Sequence, residues 1–196
     1  MKNWFLFLMS GALTALFLPA CTSPATSEKQ QEVADSVYIA QGKTIAGAVF
    51  SKLSGELSAA MQSGGVEKAV PYCHLHAYPL TDSLSAVYSA YIRRASHKPR
   101  NPQNAADSLE AATIAMYAEK MAGGEKPTPV VVREKEGAVR FLAPILLAAP
   151  CLKCHGDIDH DISPEKYALI QNIYPDDKAT GFAEGELRGV WSIRFE

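Results

Sequence analysis

The sequence predicts an α+β domain, an antiparallel β-sheet flanked by helices with a long helix near the N-terminus. Three observations carry that reading. From Val33 to Met61 apolar residues recur at helical spacing, at Ile45, Val49, Leu53, Leu57 and Ala60. After Pro127 the chain turns β-branched, and Gly189–Phe195 alternates at period two. Helices followed by antiparallel strands pack as a sheet with helices laid against it. The 196 residues are 47% hydrophobic and 20% charged, enough for one domain with an ordinary core and too apolar for a disordered chain. A net charge of −2 leaves no basic surplus for phosphates, so nucleic acid is not an expected partner.

Residues 1–20 read as an export leader. Met1-Lys2-Asn3 is positive, Trp4 to Leu18 is apolar apart from Ser10 and Thr14, and Leu18-Pro19-Ala20-Cys21 closes the segment. The apolar run is shorter than a transmembrane helix needs. Its ending resembles a bacterial lipoprotein signal, which implies cleavage before Cys21 and diacylglycerol on that sulfur. The expected location is then the bacterial cell envelope, lipid-anchored and facing the periplasm or on the outer membrane. Residues 21–31 are polar without an apolar period and read as a flexible tether, leaving 32–196 as a single domain.

The helix that follows is expected either whole or broken near Gly42, and Gly64-Gly65 should stop it. A second, short helix is expected over Val66–Ala77, with Pro71 bending it or delaying its start. Asn104 to Glu110 supplies helix-starting side chains for a helix running to about Met121, ended by Gly123-Gly124. Strands are expected at Pro129–Arg133, at Val139–Leu147 and at Gly189–Phe195. Pro144 in the second argues for a bulge or an edge position. The segment between the last two strands reads as loop.

Cys151-Leu-Lys-Cys154-His155 carries the chemistry. Two thiols separated by two residues can add to the two vinyl groups of one porphyrin, and the next residue can offer its imidazole to the iron. With 4 cysteines and 5 histidines, chance supplies this pattern roughly 0.002 times per chain. The competing readings are a zinc site, with Cys73, His74 and His76 completing the set, and a dithiol redox pair, for which the thioredoxin-like βαβ context is missing. The expected cofactor is one covalent haem c, held by Cys151 and Cys154 with His155 on the iron. The sixth iron position could be filled by Cys73, by His74, His76, His97 or His160, or by Met61, Met116 or Met121. Cys73 stands apart as a lone thiol in an oxidising compartment. The basic cluster Arg93, Arg94, Lys98 and Arg100 could meet the haem propionates, with Arg93 and Arg94 the foremost candidates.

Four stretches bear a resemblance. They are Glu67-Lys-Ala-Val-Pro-Tyr-Cys73, Ile92-Arg-Arg-Ala-Ser-His-Lys-Pro-Arg-Asn-Pro-Gln-Asn104, Cys151-Leu-Lys-Cys-His-Gly156, and Tyr174 through Gly189. Together they resemble the bacterial c-type haem proteins with a PAS-like fold and Cys/His axial ligation, found alone and as sensor regions of signalling proteins. The resemblance implies a PAS-like antiparallel sheet, His155 as proximal ligand and Cys73 as distal thiolate. Departures at Ala95 and His97, and His74 as a competitor beside Cys73, bear on the distal ligand rather than on the haem.

Iron with both axial positions filled has no place for a substrate, so an enzyme is not expected. Thiolate ligation favours Fe(III) and a low potential. Electron transfer with a redox partner is the first expectation. A haem-based redox or gas (NO/CO) sensor is the second, and since the chain ends after its last strand with no transmitter, it would signal through a partner protein.

Overall fold

The computed structural model describes residues 24–195; the leader, Cys21 and Glu196 lie outside the described residues. Its first element, α1, spans Pro24–Tyr88 and is two helical arms joined at Gly64–Gly65. Gly65 has φ +66° and ψ −156°, a conformation that only glycine adopts without strain. There the chain doubles back. Tyr72 Oη donates to Glu56 Oε2 at 2.8 Å, and Leu84 and Tyr88 of the second arm join Ile45 and Val49 of the first in one cluster. The glycine pair therefore stops the first arm where the sequence places the stop.

Two details of α1 depart from expectation, and at Gly42 the unbroken alternative holds. The segment read as a tether is helical from Pro24 onward. Proline suits a first helical turn, and Glu28, Lys29, Gln30 and Gln31 are good helix formers that need no apolar face. No break occurs at Gly42, where the ring of Phe141 occupies the space a Cβ would take. Close packing against the sheet, rather than a bend, accounts for that glycine. The second arm passes through Pro71 and Pro79 to Tyr88 instead of ending at Ala77, held down by buried Ala69, Val70 and Thr81.

The sheet has four antiparallel strands: β1 (Ala90–Ala95), β2 (Val130–Arg133), β3 (Val139–Leu146) and β4 (Leu187–Phe195), in the order β1-β4-β3-β2. Three were expected, and β1 is the addition. It pairs Ala90 with Phe195 through Ala95 with Val190, along the C-terminal part of one edge of β4. Pro144 lies beyond the last β2 partner, Leu142, and beside the register shift at Ile145/Leu146, so its missing N–H breaks no ladder bond.

Alternation along the strands sends side chains to two cores. On one face Ala90, Ile92, Phe141, Ala143, Trp191 and Ile193 meet the first arm of α1 at Ile45, Ala46 and Val49. On the other, Ala95, Leu142, Leu187 and Val190 meet Ile114 and Tyr117 of α2, which spans Ser108–Ala122. A capping box starts α2: Asp107 accepts from the Glu110 N–H at 2.8 Å and Glu110 from the Asp107 N–H at 2.9 Å.

The segment expected as loop holds α3 (Leu152–His155) and α4 (Pro164–Ile173). Ser163 before Pro164, with Glu165 in the first turn, was the sequence signal for α4. Its Ile170, with Ile162, packs on Val66 and Val70 of the second arm. No described helix is long and apolar enough to cross a membrane.

Candidate functional site

Cys151 ends a 3₁₀ turn, Ala149–Cys151, that runs directly into α3, so the two thiols and the imidazole sit on one continuous turn of backbone. The loop before β4 pins this turn in place. Gly181 N–H donates to Gly156 O at 2.8 Å, and Phe182 N–H to His155 O at 3.0 Å. His155 Nδ1 lies 2.8 Å from Ala179 O. A carbonyl only accepts, so Nδ1 carries the hydrogen and Nε2 keeps its lone pair. Burial, then the nearby Arg100 and Arg188 charges, hold the His155 pKa well below its ordinary value. The imidazole is neutral and ready to ligate.

Cys73 is half-buried on the second arm, one turn beyond Val66 and Val70, whose cluster also takes in Cys154 and Tyr174. Its electrostatic neighbours are Arg94, Cys154 and Arg100, and burial pushes its thiol pKa up against the pull of Arg94. Burial also raises Cys154. Tyr174 is pushed up to about 12 by burial and by Cys73. The helical hairpin thus brings Cys73 to face the Cys151–His155 turn, across a long stretch of sequence.

The other proposed ligands are placed differently. His74 and His76 are exposed, with their rings against Tyr174 (5.1 Å) and Tyr72 (4.4 Å). His160 is exposed and contacts Asp161 at 3.0 Å, and His97 is exposed beside Phe182. Met61 packs with Val66 and Val70, and Met116 and Met121 pack under α2. Among the described residues, no group of three or more His, Cys, Asp or Glu is arranged to hold a bare metal ion.

The two foremost arginines separate. Strand alternation turns Arg93 toward α2, where its guanidinium donates to Gln103 O and Ala105 O (3.1 and 2.8 Å) and lies 3.6 Å from buried Glu110. That side chain is committed to the fold. Arg94 points to the opposite face, among Tyr78, Cys73 and Tyr174, none of them a carboxylate, and burial lowers its pKa. A cleft of about 380 Å³ opens beside it, lined by Tyr78, Thr81, Asp82 and β1. Arg100 donates through Nε to Asp177 at 3.2 Å and through Nη2 to Cys154 O and to Ala179 O, the latter at 3.3 Å. Lys98 Nζ donates to Thr180 O at 2.6 Å and lies 4.2 Å from the centre of the Phe182 ring.

Arg188 is a site residue that the sequence reading passed over. Its guanidinium donates to Ser96 Oγ and to Lys98 O and lies 5.4 Å from the Phe182 ring, while its Nε is buried without a partner. Burial, then repulsion from Arg100 and Arg94, lowers its pKa to about 10, with Asp177 alone opposing. Arg100 and Arg188 therefore share the Asp177 carboxylate, an excess of one positive charge before Lys98 is counted, and Arg94 adds another beside a cleft that Asp82 also lines. The signal was present in the Glu186-Leu-Arg188-Gly189 segment, but its sequence distance from Arg94 and Arg100 hid the cluster.

This donor set fits a porphyrin better than a bare ion: two thiols and an imidazole on one turn, a facing thiol, and unbalanced positive charge for carboxylates. No curated protein matches the chain. A solved structure described as the cyanobacterial heme-protein Tll0287 has a similar fold, with a TM-score of 0.59 and 23% sequence identity over 88% of this chain and 95% of that one. The family model described as Tll0287-like matches residues 23–195, and the chain belongs to that family.

Proposed function

We propose that this protein is a mono-haem c-type cytochrome of the bacterial cell envelope, tethered by a lipid on Cys21 and working in electron transfer with a redox partner. Thioethers from Cys151 and Cys154 would hold one haem, with His155 Nε2 and the Cys73 thiolate as the residues that would ligate its iron. Arg94 and Arg188, rather than Arg93, would meet the propionates. The observation that carries the reading is the His155 Nδ1–H bond to Ala179 O, which presents Nε2 from a turn bearing both thiols. The haem protein with a similar fold supports it. When bound, the haem supplies a one-electron couple. The chain keeps the His155 imidazole neutral and would balance the carboxylates with Arg94 and Arg188. With both axial positions filled by the protein, no substrate reaches the iron, so the reading is not that of an enzyme.

The test is the mass and spectrum of mature protein from a host competent in cytochrome c assembly. One porphyrin of added mass is expected, with low-spin thiolate signals in EPR that vanish in Cys73→Ala. Colourless protein of bare polypeptide mass overturns the reading, and unchanged signals in Cys73→Ala remove Cys73 as ligand.

One feature favours the second reading, a haem-based redox or NO/CO sensor acting through a partner. Cys73 sits on an arm joined to the rest of α1 through two glycines, so loss of the Fe–thiolate bond could release a whole helix. Carbon monoxide added to reduced protein separates the two. Rapid binding with loss of thiolate favours sensing, and unchanged ligation favours electron transfer.

A further inference from the structure

We propose that Arg100, held by Asp177, is a positioning residue that governs how much electron density His155 lends to the iron, and so sets the reduction potential. This rests on the haem reading above. Ala179 O accepts from two donors, His155 Nδ1 at 2.8 Å and Arg100 Nη2 at 3.3 Å. A carbonyl already polarised by a cation is a weaker acceptor for the second donor. The imidazole then holds its Nδ1 hydrogen more tightly and takes on less imidazolate character.

Both partners of this device are interior. The Arg100 side chain is 14% exposed and that of Asp177 1%. Asp177 Oδ1 accepts from Arg100 Nε at 3.2 Å and from Ala179 N–H at 2.8 Å, so one carboxylate fixes both the guanidinium and the residue whose carbonyl that guanidinium shares with His155. Arg100 also donates to Cys154 O, spanning the turn from thiol to imidazole. The Arg100 charge acts in the same direction as the weakened acceptor, because reduction adds an electron to the iron that a nearby cation stabilises. Asp177 acts in the opposite direction.

The experiment compares full-length, haem-loaded wild type with Arg100→Gln, Arg100→Lys and Asp177→Asn by spectroelectrochemistry. Arg100→Gln should lower the ratio of reduced to oxidised protein at a fixed electrode potential roughly tenfold, ~59 mV for a one-electron couple. Asp177→Asn should raise it, and Arg100→Lys should fall between Arg100→Gln and wild type. Opposite signs from the two halves of one ion pair are not what a loosened structure gives, since loosening shifts both variants the same way. If Arg100→Gln fails to retain haem, the rise in Asp177→Asn decides. Equal potentials, or shifts of the same sign, overturn the inference while the haem reading stands. Wild type without covalent porphyrin overturns the haem reading itself, and mass spectrometry reads that before any potential is measured.

Discussion

Replacing Arg188 by methionine should stabilise the chain without haem and destabilise it with haem. Folding lowers the Arg188 pKa to about 10, with burial the largest cause and Arg100 and Arg94 adding to it. At ~1.36 kcal/mol per pKa unit that is a penalty of about 3 kcal/mol. Because the folded value lies below the unfolded one, the penalty is complete below pH 10 and is relieved only as pH rises above about 10 toward the ordinary arginine value, so a neutral buffer reads all of it. Methionine fills similar volume and removes the charge. It also removes the donations to Ser96 Oγ and Lys98 O, at about 1 kcal/mol each, which leaves a net gain of about 1 kcal/mol. Urea denaturation at pH 7 of Cys151→Ala/Cys154→Ala protein, with and without Arg188→Met, should show the midpoint rise. In the haem-loaded protein, where Arg188 is proposed to balance a propionate, the same substitution should lower it. A loss above 1 kcal/mol in the haem-free background, or equal effects in both, would refute the claim that the arginine excess awaits an anionic cofactor.

Two further outcomes test the scaffold. Gly42→Ala places a methyl into the Phe141 ring and should destabilise by about 1–3 kcal/mol in the same titration, with Phe141→Leu in the same chain recovering part of the loss; a wild-type midpoint in Gly42→Ala would show that the helix has room to move off the sheet. Asp107 is raised by burial but lowered more by the Glu110 N–H and Arg140, so its folded pKa lies below the ordinary 3.8. Its contribution is present above the unfolded value and lost as pH falls through the lowered folded one, and Asp107→Asn should therefore flatten the acid limb of a stability-versus-pH curve; an unaltered limb would assign that limb to other carboxylates.

The Cys151–His155 turn was readable from sequence because thioether attachment and ligation need neighbouring residues, so their spacing is stored locally. The first arm of α1 and its stop at Gly64–Gly65 were readable for the same reason, since period and chain reversal are local. β1 escaped because Tyr91-Ile-Arg-Arg94 shows no alternation of apolar and polar residues. Its outward positions carry arginines committed elsewhere, Arg93 to the α2 cap region and Arg94 to the groove. Nor could sequence separate these two neighbours, whose roles diverge only once a strand sends them to opposite faces. The arginine cluster was invisible for a different reason, being assembled by β4 from distant segments, and the approach of Cys73 to Cys154, which the hairpin assembles, was expected from the lone thiol and the resemblance rather than from any local pattern.

The antiparallel hairpin also bounds how far the haem site proposed above could stand from the lipid proposed on Cys21. Glu56 lies level with Tyr72, hence nearly level with Cys73, and from Pro24 to Glu56 the first arm rises about 50 Å at about 1.5 Å per residue. An acyl chain on Cys21 would act as the foot of a mast. A carrier meeting the groove at the top of that mast would be a water-borne protein or the outer part of a tall complex, not one buried at bilayer depth.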